Sequence, residues 1–203
     1  MIRLTALASV AILALAACNA PPEQAPAAPE TPAPAPAEQP ATPAPASSNV
    51  LTAEGFGPIR VGQTLAEVTT AWGAPAQALT DENGCNVFHP ARAPQGVLVM
   101  TEEGKVSRIS LTRDATATTD KGLKLGATAA EVKAAYGAAA QASPHKYQSA
   151  PAEYIAVWSG GPRTESYVND AAARGLVYEI GSDGKVMAIH GGGPSIQYVE
   201  SCS

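Results

Sequence analysis

The chain has 203 residues, 45% of them hydrophobic, with 13 Lys and Arg against 18 Asp and Glu for a formal net charge of −5. That length accommodates one domain of ordinary size with its own core. The mild acidity, with no basic patch in either half, argues against nucleic acid as a partner.

The first segment does not read as part of a fold. Arg3 precedes an uncharged apolar run over residues 4–15. The run is shorter than the roughly 20 apolar residues of a membrane-spanning helix and fits a secretory signal segment. It ends in Leu15-Ala16-Ala17-Cys18, which resembles the lipobox of bacterial lipoproteins. The resemblance implies cleavage before Cys18, a diacylglycerol on its thiol and an acyl chain on its new amino group. Such multiple chains hold a protein firmly where one chain does not. An ordinary signal peptide with a chance cysteine is the alternative. Asn19 is not the aspartate that keeps many lipoproteins at the inner membrane, so the expected address is the outer membrane, facing the periplasm.

Residues 20–48 consist mainly of Ala, Pro, Glu, Gln, Thr and Ser and carry ten of the 18 prolines. Ala-Pro repeats favour an extended polyproline-like backbone. At roughly 3.1 Å per residue the segment reaches up to about 90 Å, so it reads as a spacer. A proline-rich ligand for a partner is the other reading, but the segment lacks a distinctive anchor residue. The expected organisation is a signal peptide over 1–17, a lipidated cysteine and linker over 18–48, and a folded domain over 49–203.

Cys85 and Cys202 are the two remaining cysteines. In an oxidising compartment a pair of thiols is most simply a disulfide. A metal site is the weaker reading, because no histidine stands at ligand spacing from either cysteine.

Within the domain one pattern occurs twice. Residues 59–73, IRVGQTLAEVTTAWG, match residues 123–137, LKLGATAAEVKAAYG, with Gly, Thr, Ala, Glu, Val, Ala and Gly at the same offsets. Thr64 with Glu67, and Thr128 with Glu131, have the Thr-x-x-Glu spacing of a helix capping box. Leu65, Val68 and Trp72 fall on one helical face, as do Ala129, Val132 and Tyr136. Gly73 and Gly137 stand where helices end on a left-handed residue. The pattern predicts helices over 64–72 and 128–136, with Gly62 and Gly126 at the bends into their caps.

Strands are expected after each helix. The first set is 85–88, then 96–101 and 105–111 about a Glu102-Glu103-Gly104 turn. The second is 153–158, then 176–180 and 185–189 about Ser182-Asp183-Gly184. A last strand is expected over 196–200. The helix-to-hairpin spacing is sixteen residues longer in the second copy, which places an insertion between Gly137 and Leu176. Together these elements predict an α+β fold, a tandem repeat of short helix plus antiparallel strands (55–114 and 120–200). The helices are expected on one face of an antiparallel sheet.

The Gly-x-Thr-x-x-Glu-Val helix followed by a hairpin resembles the small outer-membrane lipoproteins of the SmpA/OmlA (BamE-like) group. The doubling is similar to β-lactamase inhibitory protein. The first resemblance implies help in outer-membrane protein assembly, and the second implies clamping of a hydrolase. The motif is short, and no binding residue carries over from either.

His190-Gly191-Gly192-Gly193 matches the oxyanion loop of lipases and esterases, but the Gly-x-Ser-x-Gly nucleophile elbow that must accompany it is missing from the sequence. The tract is expected to be a flexible glycine link before the last strand. His89 and His145 adjoin prolines, in expected loops where histidines are solvated. No spacing among the three suggests zinc, and no nucleotide or calcium loop is present. Neither catalytic residues nor a cofactor are expected. His145, Lys146, Tyr147 and Arg163, in the insertion, are the candidate recognition residues, since loop elaborations often carry binding. The expected function is a non-enzymatic, membrane-anchored module that binds a protein or another cell-envelope component. Inhibition of a secreted hydrolase is the alternative, and a small hydrolase using His190 or His145 is the third reading.

Overall fold

The computed structural model describes residues 49–80 and 84–202, all within the compact unit Pro43–Ser203. The expected signal peptide, Cys18 and the expected linker lie outside the described residues. In chain order the domain runs β1 (Val50–Thr52), β2 (Gly55–Phe56), β3 (Ile59–Arg60), α1 (Leu65–Trp72), β4 (Cys85–Phe88), β5 (Val97–Glu102) and β6 (Lys105–Leu111). It continues with β7 (Thr118–Thr119), α2 (Ala129–Tyr136), β8 (Gln141–Pro144), β9 (Glu153–Trp158), β10 (Gly175–Ile180) and β11 (Val186–Gly192). The fold is α+β, with two sheets and two short α-helices among the described residues.

Both helices start as their sequences dictate. At α1 the Glu67 amide donates to Thr64 Oγ1 at 3.3 Å, while Glu67 Oε2 accepts from the Thr64 amide at 2.7 Å. At α2 the Glu131 amide donates to Thr128 Oγ1 at 3.2 Å, and Glu131 Oε2 accepts from the Thr128 amide at 2.6 Å. Each box satisfies amides that no helical carbonyl can reach. The amide and hydroxyl of Thr64 hold the Glu67 carboxyl below its ordinary range, as those of Thr128 do for Glu131. Gly73 and Gly137 end the helices at φ of 84° and 54°, but with ψ of 169° and −130°. They leave the helix by an extended exit rather than through the left-handed helical basin.

Each cap is then fastened to a hairpin turn by the same bonds. The Gly62 amide donates to the Val106 carbonyl at 2.7 Å, and the Val106 amide donates to the Gln63 carbonyl at 2.8 Å. In the same way the Gly126 amide donates to the Val186 carbonyl and the Val186 amide to the Ala127 carbonyl, both at 2.8 Å. The first amide of each helix, Leu65 or Ala129, donates to Gly104 or Gly184 at the adjacent turn.

The larger sheet has seven antiparallel strands in the order β4-β5-β6-β11-β10-β9-β8. The two hairpins meet at its centre, with Ile189 opposite Leu111 and His190 opposite Ser110. The smaller sheet, β3-β2-β1-β7, has antiparallel pairs and one parallel pair, β1 with β7. The main core joins Leu51 and Phe56 of the small sheet to Val68, Trp72 and Val132 of the helices, and to Val99, Ile109, Ile155, Tyr178 and Ile189 of the large sheet. The Phe56 and Trp72 rings lie 5.7 Å apart, tilted. Tyr178, fully buried, donates to Thr119 Oγ1 at 3.2 Å and shares a 2.8 Å hydrogen bond with the Tyr136 hydroxyl.

Three expectations need correction. Residues 196–200 form no strand: Pro194–Gln197 is a 3-10 turn. The carbonyls of Ser195 in the turn and Tyr198 after it accept from a buried side chain, Arg108, instead of from a strand partner. The glycine tract is not a loose link either, since residues 190–192 belong to β11. A Cβ on Gly191 would stand 2.6 Å from the Thr52 carbonyl oxygen, and one on Gly192 would stand 2.4 Å from that of Ser107. These glycines are close-approach positions between strands. Finally, the insertion is not only loop, because it supplies β8 at the sheet edge.

Candidate functional site

Alternation along the large sheet separates two faces. Leu176, Tyr178 and Ile180 of β10 enter the main core, so Val177 and Glu179 point the other way. On that second face β9 adds Tyr154, Ala156 and Trp158, β11 adds His190, and β6 adds Arg108 and Ser110. A second apolar cluster forms there from Trp158, Val168, Ala173, Val177 and Ile196. Two pieces of chain cover it, the excursion between β9 and β10 and the segment after β11.

The C-terminal cover is tied down from beneath. Arg108, 2% exposed, donates Nη1 to the carbonyls of Ser195 at 3.2 Å and Tyr198 at 3.0 Å, and Nη2 to the Ser201 hydroxyl. Burial lowers the guanidinium to about 10, with Glu102 and Glu179 opposing the shift. The Ser195 hydroxyl donates to Glu102. Burial, with Glu102 nearby, pushes the Tyr198 hydroxyl up to about 12. The last fastening is covalent: Cys85 of β4 and Cys202 form a disulfide, with Cα atoms 5.5 Å apart.

A half-open cavity of about 490 Å³ remains between the sheet face, β8, the excursion and the C-terminal cover. Tyr154, Trp158, Val177, Glu179 and His190 border it from the sheet, Arg163 and Tyr167 from the excursion, and Tyr198 from the cover. This size suits a small ligand or a few residues of peptide.

Glu179 is the electrostatic centre. Its Oε1 accepts from His145 Nε2 at 3.0 Å, and its Oε2 lies 3.7 Å from His190 Nε2. His145 Nδ1 accepts from the amides of Tyr147 at 3.1 Å and Gln148 at 3.2 Å, which leaves the ring proton on Nε2 to donate to the carboxylate. The ring is further fixed by stacking on Tyr154, centroids 4.6 Å apart. The His190 and His145 imidazoles hold the Glu179 carboxyl below its ordinary range against the opposite pull of burial. Burial in turn lowers His190. Burial and the Glu179 charge raise the Tyr154 hydroxyl.

Ser110 Oγ lies 2.8 Å from His190 Nδ1, so a Ser-His-Glu chain crosses the sheet. Ser110 is 4% exposed and does not border the cavity. A cavity ligand therefore meets His190 and Glu179 but not the hydroxyl, which is not where a nucleophile must stand. Among the described residues no group of His, Cys, Asp and Glu is placed to hold a metal ion.

The candidate recognition residues separate. Lys146 and Arg163 border the cavity, with Lys146 Nζ 3.3 Å from Glu200 and 5.2 Å from the Tyr147 ring centroid. His145 is not a solvated loop residue, as it is 8% exposed and supports Glu179 from outside the cavity lining. Tyr147 is 61% exposed and does not border the cavity. His89 instead bonds the Val97 carbonyl at 2.8 Å. Glu179, Tyr154, Trp158 and Arg108 were not singled out from the sequence. One signal was present: Glu179 and Arg108 interrupt apolar strands, and a charge in such a run needs buried partners.

No protein-family model, curated protein or solved structure matches this chain.

Proposed function

We propose that this protein is a lipid-anchored, non-enzymatic binding module of the cell envelope, held by Cys18 at the outer membrane and presented by its proline-rich spacer. The cavity over the second sheet face is its binding site. The observation that carries this reading is Glu179, an ionised carboxylate that His145 orients at a cavity that Tyr154, Trp158 and Val177 border beside polar side chains. Holding such a group in place costs desolvation, which a recognition site recovers when a ligand arrives.

The domain is a duplicated unit of capped helix and hairpin, with both helices on one face of the shared sheet. The two capping boxes and the equivalent cap-to-turn bonds support the duplication. The duplication leaves the opposite face to the second copy's insertion, and this is where the copies differ. The likeness to BamE-like lipoproteins and to the tandem inhibitor accords with a binding role through a sheet and names no partner.

Two measurements test the proposal. Labelled palmitate fed to expressing cells is expected on the full chain and not on Cys18→Ala; label on both would remove the anchor. Ala156→Trp fills the cavity, and capture of envelope components by the full chain is expected to be lost in that variant. Unchanged capture would place binding elsewhere.

A further inference from the structure

Resting on that reading, we propose that the cavity takes the carboxy-terminal end of a peptide, with Arg163 receiving the free carboxylate.

Arg163 is held in place yet left without a counter-charge. The Gln141 side chain clamps its main chain, donating Nε2 to the Arg163 carbonyl at 2.6 Å and accepting from the Arg163 amide at 2.8 Å. Its Nε is buried with no hydrogen bond, and no carboxylate of the described residues lies within ion-pair distance of its guanidinium. Buried N–H groups without acceptors are uncommon in folded proteins. A guanidinium bordering a cavity matches a planar carboxylate, which it binds through two parallel bonds.

The charge around the cavity sets the kind of anion. Lys146, the other cation of the lining, is already paired with Glu200, while Glu165 and Glu179 border the same space. One free cation facing two carboxylates favours a monoanion over a phosphate dianion. Glu179 Oε2, 3.7 Å from His190 Nε2, has room to accept a donor from the ligand. An amide N–H supplies one.

The sheet edge points to a peptide. Among the described residues β8 is paired only with β9, and Gln141 to Pro144 border the cavity, so a ligand main chain entering there meets unpaired backbone groups. Adding an extended peptide to such an edge is a common recognition mode. Trp158, Val177 and Ile196 offer an apolar surface to its last side chains.

The test immobilises the full chain and offers a pool of N-acetylated tripeptides with apolar final residues, each as free acid and as carboxamide. The bound fraction is read by mass spectrometry. Acids are expected to be retained at least about ten-fold over amides, the loss typical of one charged hydrogen bond. Arg163→Gln is expected to abolish the preference, while Tyr147→Ala keeps it. The Gln141 clamp uses only main-chain atoms of Arg163, and an unchanged thermal midpoint shows that the variant is folded. Equal retention of acids and amides, retention of neither, or a preference that survives Arg163→Gln overturns the proposal. If Ala156→Trp still abolishes envelope capture in those cases, the cavity binds something and only the carboxylate assignment falls. If Ala156→Trp changes nothing, the cavity reading falls as well.

Discussion

The guanidinium of Arg108 donates to the carbonyl of Tyr198 at 3.0 Å, across ninety residues of chain. A charged side chain in the middle of a sheet thereby becomes the floor fastening of a strap that forms one wall of the cavity. The arrangement is costly, since burial lowers the Arg108 group to about 10. Among the described residues the Tyr198 carbonyl has Arg108 as its donor, while the Ser195 carbonyl shares Arg108 with the Tyr198 amide at 3.1 Å.

Arg108→Met is expected to remove the charge while preserving much of the volume, leaving the Tyr198 carbonyl short of a donor while the Ser195 carbonyl keeps the Tyr198 amide. Each unsatisfied acceptor costs on the order of 1–3 kcal/mol. Chemical denaturation is expected to show a net loss of about 1–3 kcal/mol, reduced by relief of the buried charge. A neutral or stabilising result would mean that the strap does not depend on this anchor.

The disulfide fastens the same strap from its end, joining residues 117 apart. In the chain-entropy model a loop of that length is worth about 4–5 kcal/mol. Cys85→Ser with Cys202→Ser is expected to lower the denaturation midpoint accordingly and to leave the wild type, but not the variant, sensitive to reductant. Equal sensitivity in both would contradict it.

The glycine tract offers a contrast within three positions. Gly191→Ala and Gly192→Ala drive a methyl into main-chain oxygens at 2.6 Å and 2.4 Å, whereas the nearest atom to a Cβ on Gly193 is 3.7 Å away. The first two are expected to cost about 1–3 kcal/mol each, and Gly193→Ala under about 0.5 kcal/mol. Thermal melts of the three variants check this. A flexible link would tolerate all of them alike.

Acid sensitivity follows from His190. Burial lowers its folded-state value below 6.5, so below that pH the unfolded chain binds a proton that the folded chain refuses. Stability is therefore expected to fall as pH drops through 6.5 and to level off beneath the folded value. A second loss is expected below 4.5, where the depressed carboxyls of Glu179, Glu67 and Glu131 give the unfolded chain the higher proton affinity. His190→Asn keeps a polar partner for Ser110 and is expected to remove the first loss and to shrink the Glu179 share of the second, leaving the shares of Glu67 and Glu131. Denaturant midpoints between about pH 4 and 8 measure both; identical profiles for the two proteins would rule out His190 as the source.

The caps admit a simpler check. Thr64→Ala and Thr128→Ala are each expected to cost about 1 kcal/mol, additively, because the two helices start in separate parts of the fold. Midpoints of the single and double variants measure it, and a cost from neither variant would show that the boxes add nothing to stability.

What could be read from residues alone was the longer local pattern. Thr-x-x-Glu specifies a helix start because partners three residues apart meet on one turn. Six strands were legible because their apolar stretches end at turn glycines. The short strands β1, β2, β3 and β7 were not, since two or three residues carry no alternation to detect. The disulfide followed from there being only two cysteines after Cys18. The site was decided by tertiary structure. His145, directly after β8, stands beside Glu179 of β10 only because β8, β9 and β10 lie side by side in the sheet. Residues 196–200 look like a strand, but a buried arginine from the other half takes the carbonyls of Ser195 and Tyr198, and local pattern carries no trace of a partner ninety residues away. Sequence spacing fixes contacts within a turn or a hairpin, whereas a cavity is made by strand order, which only the packed sheet determines.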